Sequence, residues 1–135
     1  MKIRLAVSSA AVLILGLALP VLAHHSFSAE YDANKPVSFK GYVTKLEWMN
    51  PHVWFYVDVK DDKGNVIEKW DCEAANPNAL ARQGWKRDSL KVGDLISVEG
   101  SRAKAGSFTM NARSIVLATG KRVLAGSSGD GAPER

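Results

Sequence analysis

The sequence predicts an all-β domain with one short helix. Three observations carry this reading: strict alternation at Val53, Phe55, Val57 and Val59, a hairpin signal at Asp61-Asp62-Lys63-Gly64-Asn65, and a single helix start at Asn76-Pro77. Taken in order, Val37 to Val43 alternates as a first strand. The apolar parity then shifts so that Leu46 and Trp48 continue it, which predicts a bulge or bend between Gly41 and Lys45. Pro51 to Lys60 is the clearest strand, with Val53, Phe55, Val57 and Val59 toward the core and His52, Trp54, Tyr56, Asp58 and Lys60 on the other face. After the hairpin, Val66 to Ala74 returns with Val66, Trp70, Cys72 and Ala74 on one parity.

Asn76 is a helix cap and Pro77 takes the first helical position, where a missing N–H costs nothing; Gly84 ends a helix of about two turns. Leu95 to Ala103 and Phe108 to Leu117 are the next strands, with Ile96 and Val98 inward. Lys121 to Leu124 adds a short edge. Five strands with the helix between the third and fourth are the element order of a small OB-like barrel, and a partly open β-barrel shares the same elements.

The chain's start reads as an export signal over residues 1–23. Lys2 and Arg4 supply positive charge, Leu5 to Leu19 is apolar apart from Ser8, Ser9 and Gly16, and Val21 and Ala23 are the small residues a signal peptidase requires. An uncut membrane anchor is the alternative, but a bilayer crossing needs about 20 apolar residues and this run is short and ends at Pro20. Cleavage leaves His24 first and places the protein in the periplasm or outside the cell. Residues 24–35 then form a polar arm with Phe27 and Tyr31 as anchors, residues 36–125 form the β domain, and residues 126–135 form a disordered Gly/Ser/Pro tail.

Of 135 residues, removal of 23 leaves 112, enough for one domain with an apolar core. Losing Lys2 and Arg4 from 18 basic residues leaves 16 against 14 acidic ones, a net charge of +2. That balance lacks the basic surface of a nucleic-acid binder, so no nucleic-acid partner is expected. A single Cys excludes an internal disulfide framework and Cys-rich metal sites. Cys72 itself shares the parity of Trp70 and is expected to be a buried small hydrophobe.

The runs His24-His25-Ser26-Phe27-Ser28-Ala29-Glu30-Tyr31-Asp32, Glu47-Trp48-Met49-Asn50-Pro51-His52 and Asn76-Pro77-Asn78-Ala79-Leu80 with Gly84-Trp85 carry a family resemblance. Together they resemble an uncharacterised family of small exported bacterial proteins, domain of unknown function 6152. The resemblance covers His24 to about Ser128 and implies a secreted β-rich domain. It implies no activity.

Chemistry must come from the three histidines, His24, His25 and His52. A terminal His offers its amine and ring nitrogen as a chelate, His25 offers the amine, an amide nitrogen and its ring, and a further imidazole completes a site suited to copper. His52 is the candidate for that imidazole, with Met49 three residues earlier as a thioether that favours Cu(I). Alternatively, His52 caps the Asn50-Pro51 turn and the terminal pair binds metal without purpose.

Trp54 and Tyr56 lie opposite the aliphatic core, on the second strand of the usual ligand face of OB barrels, where they would stack on a sugar or other planar ligand. The competing expectation is that the arm, helix or tail covers them, with Phe27 or Tyr31 as the cover. Asp58, Asp61, Asp62, Asp71 and Glu73 read as ordinary solvated carboxylates near a turn. Arg82, Lys86, Arg87 and Lys91 read as a solvated face, or as a contact for anionic envelope polymer or lipid. No phosphate loop or nucleophile elbow occurs, and no enzyme is expected. The sequence therefore points to an exported binding module for a metal ion, copper first, or another small ligand. The rival is an envelope interaction protein that holds glycan, lipid or a protein on the Trp54/Tyr56 face.

Overall fold

The structure is a computed structural model that describes residues 27–126. The expected signal, His24, His25 and the tail from residue 127 lie outside the described residues. Residues 27–30 make one helical turn. Six strands follow: β1 (Tyr31–Glu47), β2 (Trp54–Lys60), β3 (Val66–Glu73), β4 (Leu95–Ala103), β5 (Thr109–Val116) and β6 (Arg122–Leu124), with helix α1 (Pro77–Arg82) between β3 and β4.

The sheet order is β3-β2-β1-β4-β5-β6, and β3 also pairs with β5, so the first five strands form a ring. All pairings are antiparallel except β3 with β5, where Asp71, Cys72 and Glu73 lie beside Thr109, Met110 and Asn111. The expected OB-like, mostly β arrangement with a helix between the third and fourth ring strands is what the chain adopts.

The long β1 serves two partners. Tyr31, Asp32 and the residues from Pro36 to Tyr42 pair with β4, across a register shift between Asp32 and Pro36, and those from Tyr42 to Glu47 pair with β2. The change of partner coincides with a register shift between Val43 and Lys45, the irregularity that the parity change anticipates. Gly41 is required at this bend, because a Cβ there would stand 2.6 Å from the Asp58 carbonyl oxygen.

The interior of the ring is apolar. Val53, Phe55, Val57, Trp70, Cys72, Ile96, Val98, Met110, Ala112 and Ile115 are buried in one cluster with Leu80 from α1 and Trp85 just after it. Full burial of a side chain such as Phe55 contributes about 1.5–3 kcal/mol. Trp70 closes the ring near Phe39, stacked at 4.8 Å, and Phe108, edge-on at 5.2 Å. As the sequence requires, the Asn76 side chain accepts the Ala79 N–H at 2.8 Å, and the chain leaves the helix through Gly84 at a φ of 89°.

Three expectations need correction. The arm does not extend to residue 35, because Tyr31 and Asp32 already pair with Ala103 and Arg102 of β4. The second strand begins at Trp54 rather than Pro51. Val66 shares the parity of Trp70 but is exposed, because a register shift between Val59 and Lys60 breaks the alternation at the hairpin end of the sheet.

Candidate functional site

The second and third strands place His52 beside Glu73. Backbone bonds from Val53 N–H to the Ala75 carbonyl, 3.1 Å, and from Ala74 N–H to the Val53 carbonyl, 2.8 Å, continue the β2–β3 ladder past its ends. Trp54 lies directly opposite Glu73 in that ladder. Side chains at opposed antiparallel positions share a face, so Glu73 lies on the outer face with Trp54, and His52, two residues before Trp54, joins them.

Glu73 is nevertheless buried, its side chain only 8% exposed, and the Tyr31 side chain from the start of β1 reaches it. Both carboxylate oxygens are engaged: Oε1 by Nδ1 of His52, and Oε2 by the hydroxyl of Tyr31. A carboxylate has only lone pairs to offer His52, so Nδ1 carries the shared hydrogen and Nε2 is the nitrogen left for a ligand. The imidazole is 43% exposed, so that second nitrogen is within reach of solvent.

Tyr31 is fixed independently of Glu73. It is 4% exposed and pairs with Ala103 in the sheet, and its ring stands 5.6 Å from that of Phe27. The β4–β5 turn clasps the helical turn before it: Lys104 N–H donates to the Glu30 carbonyl at 2.8 Å, and the Lys104 ammonium donates to the Ser28 carbonyl. Burial first, and the hydrogen bond to Glu73 second, hold the Tyr31 phenol protonated far above its ordinary range.

Trp54 and Tyr56 share a strand face but have different surroundings. The Tyr56 hydroxyl donates to Glu47 Oε2 at 2.9 Å, the Lys45 ammonium lies 5.1 Å from the ring centroid, and Lys45 pairs with Glu47. Burial and the Glu47 bond push the Tyr56 phenol up to about 12. Trp54 instead lines a groove of about 380 Å³ together with Glu30, Tyr31, Lys104, Ser107 and Thr109. The arm's base thus walls one side of Trp54 and leaves a cleft against the β4–β5 turn.

Cys72 is fully buried, and burial raises its thiol well above its ordinary range, as the packing expectation requires. Arg82, Lys86, Arg87 and Lys91 are all exposed. Among the described residues no three His, Cys, Asp or Glu side chains converge to hold a metal ion. Of the three histidines singled out from the sequence, His52 is the one among the described residues; His24 and His25 lie outside them.

Sequence reasoning missed Glu73 by grouping it with the solvated carboxylates of the hairpin, and noted Tyr31 only as an anchor. The available signal was local: Glu73 is the one charge in the run Cys72-Glu73-Ala74-Ala75, whose other members are small and all buried. A charge in such a run needs partners.

A five-stranded β ring whose outer face carries a histidine backed by a buried carboxylate and a tyrosine defines a small OB-like protein with a preformed polar site. The chain belongs to the family of unknown function DUF6152, whose model matches residues 11–112. No curated protein matches the sequence.

Proposed function

We propose that the protein is an exported binding module, acting in the periplasm or outside the cell, that holds copper through His52 and the mature N-terminal histidines, His24 and His25. The observation that supports this reading is the contact of His52 Nδ1 with buried Glu73. Metal-ligating histidines characteristically give their second ring N–H to a carboxylate, which fixes the ring and raises the basicity of the ligating nitrogen. Imidazole and terminal-amine nitrogens are donors that copper favours, and Met49, 55% exposed and three residues before His52, is a soft donor for the reduced ion. The role is binding rather than catalysis.

The test is a Cu(II) titration of mature protein that begins at His24, beside a variant with one extra Gly before His24. Tight one-to-one binding that the extra residue abolishes is the expected result, because the extension removes the terminal amine from the chelate. Weak binding of equal strength in both proteins overturns the copper reading.

A second reading is supported by the groove at Trp54. An aromatic wall opposite the hydroxyls of Ser107 and Thr109 suits a glycan or other polar ligand with a planar face, within an envelope interaction role that also admits lipid or protein partners. Under this reading soluble envelope oligosaccharides quench tryptophan fluorescence, and Trp54→Ala removes the quenching. A response that survives Trp54→Ala rules the groove out.

A further inference from the structure

We propose that Tyr31 and Glu73 are positioning residues for His52, so that the docked base of the N-terminal arm fixes the imidazole with Nε2 outward before any ligand arrives. The inference deepens the copper reading and rests on it for the identity of the ligand, but the orientation of His52 is a property of the unliganded protein.

Three features support it. First, Glu73 has only acceptor atoms and both are committed, Oε1 to His52 and Oε2 to Tyr31. The carboxylate therefore cannot rotate to favour one partner without abandoning the other. Second, the Tyr31 hydroxyl is placed by contacts that do not involve the site: the Ala103 pairing, the Phe27 ring and the Lys104 clasp on Ser28 and Glu30. Third, the imidazole is 43% exposed, and a ring so open to water would otherwise interchange both its rotamers and its tautomers. Binding would then have to select one state from several, which lowers apparent affinity by the fraction that is competent.

The experiment records nitrogen shifts of the His52 ring by NMR in unliganded mature protein at pH about 8.5, where an ordinary imidazole is neutral. His52→Ala assigns the signals, and Tyr31→Phe and Glu73→Gln are the two test variants. Wild type is expected to show one tautomer, protonated at Nδ1, and both variants a mixture. Cu(II) affinity is expected to fall 10–100-fold in the variants, the range for loss of a partner behind a metal ligand. A mixture already in wild type, or a single tautomer that persists in both variants, overturns the positioning role. A tautomer change with Cu(II) affinity unmoved, in these variants and in His52→Ala alike, upholds the positioning role and overturns copper at His52.

Discussion

The hydroxyl of Tyr31 donates to Oε2 of Glu73, 42 positions later in the chain, and both side chains are buried. Tyr31→Phe keeps the ring against Phe27 but leaves that oxygen without its donor. An orphaned buried acceptor costs about 1–3 kcal/mol, so the variant is expected to unfold at lower urea concentration with an unchanged slope. A midpoint equal to wild type would show that water replaces the hydroxyl and that the bond does not hold the arm.

Alkaline pH tests the same chemistry without mutation. Tyr31 and Tyr56 both retain their protons in the folded state more strongly than an ordinary phenol, near 10. A folded pKa above the unfolded one gives stability that is complete below the unfolded value and is lost as pH rises through the folded value. For Tyr56 the window runs from about 10 to about 12. Urea unfolding across that window is expected to show a progressive fall in stability, and Tyr56→Phe a shallower one. Equal slopes in both proteins would contradict the Glu47 bond as a source of stability.

Gly100 is a position where the fold tolerates no side chain. A Cβ there would stand 2.0 Å from the Asn111 carbonyl oxygen and 2.6 Å from Met110 Cε, at the register shift between Glu99 and Gly100 where β4 meets β5. The nearest atom is backbone and cannot swing aside. Gly100→Ala is expected to cost at least about 3 kcal/mol, the upper range for overpacking, and to lower Tm by roughly 10 °C or more. Thermal unfolding followed by circular dichroism measures this. A Tm within a few degrees of wild type would mean that the two strands can separate at the bulge.

What the sequence makes legible is local chemistry. The Asp61 hairpin, the Asn76 cap and the alternation of Val53, Phe55 and Val57 depend on neighbours within a few residues, and the structure has each of them. The bulge after Val43 is also legible, because a change of parity leaves its mark on adjacent residues. The start of β1 is not: Tyr31 and Asp32 are ordered by β4, some seventy residues later, and their own surroundings are polar. The site fails for the same reason. Tyr31, His52 and Glu73 come from three separate segments, and nothing near any one of them specifies the other two. Val66 is the reverse case, a residue whose parity matches Trp70 in the sequence and whose exposure follows from a register shift at Ile67 on its own strand.

Cys72 offers the last test, because it reports on the whole ring. It is fully buried between Phe55 and Met110, its paired neighbours on β2 and β5, and burial first, then the charge of Asp71, raises its thiol. Only a thiolate reacts at a useful rate, so the native protein needs to expose the sulfur before any reagent or second chain can attack it. Exposure requires opening the β2–β3–β5 junction, which also carries Glu73 and thus the support of His52. Labelling by a thiol reagent is therefore expected to be negligible in native protein and to rise with urea along the global unfolding curve. Non-reducing electrophoresis after storage in air is expected to show monomer without disulfide-linked dimer. Rapid labelling without denaturant would instead reveal a local opening of this junction, and would place the weakest part of the ring directly beneath the histidine site.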